Sequence, residues 1–329
     1  MKELIIAILL FTVGLVLLIK GGDWFVEGAS GIAKKFHIPE LLIGATVVSI
    51  GTTLPEVMVS ATSAVKGHGE IAYGNAIGSI ICNTALVAAI TVAVKPSAVD
   101  RKTFFIPVAF FFSSAFLYAL TAYVFGVFYR WTGIVLLLIF VAYIVISVLQ
   151  AKKQQKLLSE EQSALPPEEN GGKKELVKDI IFLVIGAALI AGGANLLVDN
   201  GTVIARVAGI PEAVIALTFV ALGTSLPELV TAITSLIKGH GSLSLGNLIG
   251  ANLFNIVLVS GVSVVLNPFA IPEQLFFGFN RSLIIDIPVM FAVMALLTVP
   301  ALIRNKLSRV QGIILLAIYC AFCAVQFIF

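Results

Sequence analysis

A chain of 329 residues in which 59% of side chains are hydrophobic and only 12% are charged is far too apolar to be a soluble domain of that size. The formal net charge of +3 is small and gives no reason to expect nucleic acid as a partner. Three cysteines make no disulfide framework, and Walker A, GxGxxG and HExxH patterns are absent, so neither ATP hydrolysis nor a soluble redox domain is indicated. Many apolar runs reach the roughly 20 residues that span a bilayer as helix. The expected class is an all-α polytopic membrane protein without a cofactor.

Ten spans are predicted, at 3–31, 41–65, 70–94, 103–123, 128–150, 176–205, 213–237, 242–266, 282–302 and 308–328. The first could be taken for a secretory leader. However, GLVLLIKGG after Val13 has a counterpart in GAALIAGGA after Ile185, so it reads as part of an internal repeat and is expected to be retained. The span 41–65 contains IGTTLPE at 50–56, and Glu56 is its only charged residue. A carboxylate at that depth is costly and calls for a function. The span 70–94 carries GNAIGSIICN at 74–83. Residues 151–175 are charged, contain Pro-Pro and Gly-Gly, and are expected to form a flexible linker. The second half then repeats the same words, LGTSLPE at 222–228 and GNLIGANLFN at 246–255. Cys320 and Cys323 lie in an apolar segment without partner ligands.

The two halves correspond at a constant offset of 172 residues, without a gap from about residue 13 to 96. Ile38-Pro39-Glu40 matches Ile210-Pro211-Glu212, and Leu54-Pro55-Glu56 matches Leu226-Pro227-Glu228. Lys66-Gly67-His68-Gly69 matches Lys238-Gly239-His240-Gly241, and Asn83 matches Asn255. This is a duplication. It divides the chain into a first five-helix repeat at 1–150, the linker at 151–175 and a second repeat at 176–329. An odd number of spans per half inverts the second repeat, and transporters of that plan place their ion site near mid-membrane at the repeat interface. With the N-terminus outside, the inner loops carry Lys34, Lys35, Lys95, Arg101, Lys102, Lys238, Arg304, Lys306 and Arg309. The outer loops then carry only Lys66, Arg130, Arg206 and Arg281, as the excess of positive charge on the cytoplasmic side requires. The linker is therefore expected to be cytoplasmic.

Pro55 and Pro227 lack an N–H and clash with the carbonyl four residues back, so the helix ladder is expected to break around Ser49–Thr52 and Ala221–Thr224. Freed carbonyls at Ser49 and Ala221, the hydroxyls of Thr52, Thr53, Thr224 and Ser225, and the carboxylates of Glu56 and Glu228 form the ligand set of a hard cation. With no histidine or sulfur ligand nearby in the sequence, zinc and copper are not indicated. Asn75, Ser79 and Asn83 share one helix face, which Asn247 and Asn255 repeat with Ala251 in place of the serine. Asn252 adds one more amide. His68 and His240 read as loop residues on opposite faces, and Asp286, which begins a span, reads as interfacial.

GTTLPE with GNAIGSIICN, and GTSLPE with GNLIGANLFN, resemble the paired alpha-repeats of the sodium/calcium exchangers of the cation/calcium antiporter superfamily. The resemblance covers nearly the whole chain. It implies a secondary antiporter that exports Ca²⁺ against Na⁺ entry, with a cluster of sites at the centre of the bundle. Glu56 and Glu228 would bind both ions, and Thr52, Thr53, Ser79, Thr224 and Ser225 would contribute hydroxyls. Backbone carbonyls near Ser49 and Ala221 would contribute to outer Na⁺ sites, while the amides of Asn83 and Asn255, from their shared helix face, could complete the shell without adding charge. The first and sixth spans, long and tilted, would slide against the rest. Asn255 stands where many relatives have aspartate, and Ala251 where many have serine. The short linker lacks the calcium-sensing domains of animal exchangers, so a prokaryotic-type inner-membrane protein acting as a monomer is expected. The alternatives are H⁺/Ca²⁺ exchange, in which protons replace Na⁺ on the two glutamates, a channel, and an intramembrane protease. Inverted, kinked repeats argue against a channel, and the Gly-Asn helices have no use in a protease.

Overall fold

The computed structural model describes residues 2–162, 173–209 and 223–328. Among these, ten apolar helices follow one another: α1 (Lys2–Lys35), α2 (Glu40–Val65), α3 (Gly69–Val94), α4 (Arg101–Phe125), α5 (Arg130–Gln162), α6 (Lys173–Val207), α7 (Leu226–Ile237), α8 (Gly241–Leu266), α9 (Ser282–Arg304) and α10 (Arg309–Ile328). Nine of them are long and apolar enough to cross a membrane, and α7 is the described end of the predicted span 213–237. The protein is an all-helical, multi-pass membrane protein. The only strands among the described residues are two-residue pairs in loops; Val127–Phe128 pairs antiparallel with Phe269–Ala270. Helix α5 continues to Gln162, so the first twelve residues of the expected linker extend a helix.

The turns KGHG are helix stops. Gly67 and Gly239 both take φ +85°, a region a residue with a Cβ avoids. The next amides reach back, His68 N to Ser63 O at 2.9 Å and His240 N to Ser235 O at 2.7 Å. This closes α2 and α7 with the same left-handed cap and turns the chain straight into α3 and α8.

Burial sorts the helices by role. The Gly-Asn helices α3 and α8 are the most buried spans, whereas α1 and α6 expose most of their apolar surface. With 34 and 35 residues, α1 and α6 are each roughly 50 Å long. A bilayer core of about 30 Å therefore requires them to tilt or to project. They pack antiparallel on each other, outside the main core cluster. Across the repeats, α2 lies against α8 at Gly44, Gly246 and Gly250, where a Cβ would meet the facing backbone or, at Gly250, also Ser49. Gly74 and Gly78 meet no such neighbour among the described residues.

Candidate cation site

The first departure from the expected local structure is at Pro55. Helix α2 runs through it without a break, and the irregular turn lies upstream, a π-helical stretch at Gly44–Val48. The carbonyls of that stretch are engaged: Tyr143 OH donates to Ala45 O at 2.8 Å, and Ser49 Oγ lies 2.7 Å from Gly44 O. In the second repeat the helix does start afresh, at Leu226 with Pro227 in its first turn, after a turn at Thr224 and Ser225. One motif thus lies within a continuous helix in one half and at a helix N-terminus in the other. The Gly-Asn helices also contain π-helical turns, Asn83–Ala88 in α3 and Asn255–Ser260 in α8. Each begins at the last asparagine of its motif, and no feature of composition or spacing announces them. Turns of this kind recur at functional sites.

These elements converge. The Asn83 turn packs on α7, and the Asn255 turn packs on α2 and α3, so each half completes the other. Glu56, Glu228, Thr53, Asn83 and Asn255 are fully buried, as are Thr52, Ser225 and Ser79 to within 4%. Thr224 is half-buried in the turn before α7. Ala221 lies outside the described residues. Both carboxylate oxygens of Glu56 and of Glu228 are without a hydrogen-bond partner among the described residues. The same holds for Thr53 Oγ1, Ser225 Oγ and both amide atoms of Asn83 and Asn255. Among the described residues, the charged group that acts on Glu56 is Glu228. Thr52 flanks Glu228 from the opposite repeat, and its hydroxyl lies 3.2 Å from Asn247 Oδ1 and 3.5 Å from Ser49 O.

A buried carboxylate without counter-charge or hydrogen bonds is among the most costly groups a protein can hold. Two of them close enough to act on each other, in a bundle that also buries the unpartnered hydroxyls of Thr53 and Ser225 and the amides of Asn83 and Asn255, would attract a cation. The donors are hard oxygens, suited to an ion such as Ca²⁺ that takes about six to eight of them.

Other polar groups singled out in the sequence serve as bracing. Asn75 Nδ2 donates to Ser60 Oγ at 2.8 Å and to Glu56 O at 3.2 Å, holding the helix that presents Glu56. Asn247, its repeat mate, ties the halves together: Ser49 Oγ lies 2.9 Å from Asn247 O. Asn252 donates through Nδ2 to Thr84 Oγ1 at 2.7 Å and rests against Met294, while its Oδ1 has no partner among the described residues. Asp286 is 7% exposed, within a π-helical turn, and accepts from Gln326 at 3.2 Å, so its carboxylate is packed inside the protein. His68 is exposed, as expected of a loop residue, but His240 Nδ1 lies 2.7 Å from Glu40 Oε1. Cys82 was missed. Its buried thiol lies beside Ser225 and Glu228, at 3.8 Å from Tyr319 OH, and its position directly before Asn83 was the available signal.

The profile of the family described as sodium/calcium exchanger protein matches residues 6–149 and 178–328, nearly the entire chain in two blocks. The chain belongs to the sodium/calcium exchanger family. As an exchanger it is 34% identical to sodium/calcium exchanger MaX1 of Methanosarcina acetivorans over 97% of this chain and 98% of that protein. It is 35% identical to inner membrane protein YrbG of Escherichia coli over 88% and 89%. The exchanger fold superposes on a solved structure of the sodium-calcium exchanger NCX_Mj, soaked with Na⁺ and Sr²⁺, with TM-score 0.82 at 31% identity over 98% of each chain. The family to which this exchanger belongs is one of cation transporters, and the blocks matched coincide with the two halves read from the internal repeat.

Proposed function

We propose that this exchanger is a secondary antiporter that moves Ca²⁺ out against Na⁺ entry by alternating access, with the two ions competing for Glu56 and Glu228. The observation that carries this reading is the pair itself: two fully buried carboxylates, one from each repeat, with no protein partner among the described residues. Two negative charges balance one Ca²⁺ or hold several Na⁺. Occupation by one excludes the other, which couples the fluxes. The ion-free site, with two bare carboxylates in a medium of low dielectric constant, crosses the membrane poorly, and this suppresses leak. Ser79, Asn83, Thr52, Thr53, Thr224, Ser225 and Asn255 complete the shells, with the backbone at Ser49 and Ala221 at their edge. The halves 1–150 and 176–329 act as inverted units joined by the cytoplasmic segment 151–175. The N-terminus is outside and the chain works as a monomer in the cell's inner membrane; the name of YrbG supports that location.

The test is ⁴⁵Ca²⁺ uptake by proteoliposomes under an imposed Na⁺ gradient, an imposed pH gradient, or neither. Uptake driven by Na⁺ alone is the expected result. Uptake driven by pH alone would assign H⁺ as the coupling ion, and uptake with neither gradient would indicate a channel.

A further inference from the structure

Helix α7 carries more polar groups than the cation site uses. Glu228, Thr231 and Ser235 are three and four residues apart and therefore lie along one face. All three are 0% exposed. Thr231 Oγ1 and Ser235 Oγ have no hydrogen-bond partner among the described residues. That is unusual for helical hydroxyls, which ordinarily bond the carbonyl one turn back. Thr46, Thr121, Ser263 and Thr298 in this chain do so, at 2.6 to 2.9 Å. Thr231 and Ser235 leave that default partner and extend the line of oxygens begun by Glu228.

The line leads somewhere. Just past Ser235, a crevice between the ends of α3 and α7 and the start of α8 is lined by Thr91, Lys95, Ser97, Leu236 and Ser244. The turn that follows Ile237 is tied to the first repeat twice, His240 to Glu40 at 2.7 Å and Lys238 to Asp23 at 3.4 Å. The duplication supplies only the serine of the stripe. The positions in the first repeat that match Thr231 and Ser235 are Val59 and Ser63, and Val59 is 41% exposed on the outer surface.

We infer that Thr231 and Ser235 line the passage by which a partly dehydrated Na⁺ or Ca²⁺ travels between the Glu228 end of the site and the membrane face that carries Lys238. Each hydroxyl replaces a lost water oxygen, so the ion is never fully stripped between the crevice and the carboxylate. The inference rests on the exchanger reading above.

The experiment places single cysteines at Thr231 and Ser235, with Cys320 and Cys323 replaced by serine and buried Cys82 kept as the background control. Reconstituted protein is treated with a membrane-impermeant thiol reagent from each face, with Lys238→Cys and Lys66→Cys as references for the two faces. Ser235→Cys, and more slowly Thr231→Cys, are expected to react from the Lys238 face, with rates that change several-fold on adding Ca²⁺ or Na⁺. No reaction above background under any ion condition, or reaction from the Lys66 face, overturns the inference. Should the cysteine variants not insert, Ser235→Ala and Thr231→Val provide a second readout. They are expected to raise several-fold the Na⁺ concentration for half-maximal exchange at the Lys238 face and leave the opposite face within twofold; equal change at both faces overturns it. Labelling does not require turnover, so failure of the exchanger reading shows separately, as absent ⁴⁵Ca²⁺ exchange in the unsubstituted protein.

Discussion

Gly21 and Gly186 face each other reciprocally across the α1–α6 pair. A Cβ on Gly21 would lie 2.9 Å from the Gly186 carbonyl oxygen, and a Cβ on Gly186 would lie 2.8 Å from the Gly21 carbonyl oxygen. Gly14 and Gly193 repeat the relationship at 2.9 and 2.8 Å. Gly14 matches Gly186 in the duplication, and Gly21 matches Gly193, so the seam is built by the internal repeat on itself. Small residues here let the two long helices approach backbone to backbone.

Gly21→Ala and Gly186→Ala should each force the pair apart, at a cost of about 1–3 kcal/mol. The double variant should cost clearly less than the sum, because the first methyl already opens the space for the second. Thermal unfolding in detergent, arranged as a double-mutant cycle, reads this directly. Strict additivity would mean that the two glycines do not share one contact.

Glu56→Gln or Glu228→Gln should abolish Na⁺-driven Ca²⁺ exchange while the protein still inserts and folds. In ion-free buffer each variant should melt at the same temperature as the parent or higher, since a bare buried charge has been replaced by a neutral group of the same shape. The rise in Tm that Ca²⁺ gives the parent, about 2.7 kcal/mol of stabilisation at a hundredfold excess over Kd, should be lost. Wild-type transport by either variant would remove that glutamate from the site.

Gly51 stands directly before Thr52, and a Cβ there would lie 3.0 Å from Phe25 Cζ on α1. Phe25 is 1% exposed and has little room to yield. Gly51→Ala should therefore slow exchange several-fold with equilibrium Ca²⁺ binding retained, and Phe25→Leu in the same chain should restore the rate. Loss of binding in Gly51→Ala, without rescue, would place the effect in the site itself and not in the α1 contact.

Lys66 and Lys238 occupy matching turns at the ends of α2 and α7. If the repeats are inverted as proposed, they lie on opposite sides of the membrane. Cysteines at these positions should label from opposite faces with an impermeant reagent. Labelling of both from one face would require a different span count.

Asn255 matches Asn83, so this layer of the site is neutral on both sides. Na⁺-driven Ca²⁺ exchange should accordingly proceed at full rate in potassium-free medium. An absolute need for K⁺, measured by the same uptake assay, would mean that other ligands hold it.

Much of this protein is determined by its one-dimensional pattern. Apolar length sets the number of spans, because the bilayer admits only segments that satisfy their own backbone. The offset between the halves, and an odd number of spans in each, set the inverted plan. A lone glutamate beside a proline in an apolar run, written twice, marks the candidate site. These features depend on local sequence alone. What the tertiary structure decided is which atoms remain available. Asn75, Asn247 and Asn252 look equivalent in the sequence, yet one braces Glu56, one bridges the repeats and one is turned toward Met294. Pro55 and Pro227 sit in the same words, yet one lies inside a helix and the other begins one. Helical spacing fixes which side chains share a face; only packing fixes what that face meets, and after duplication the two copies meet different neighbours.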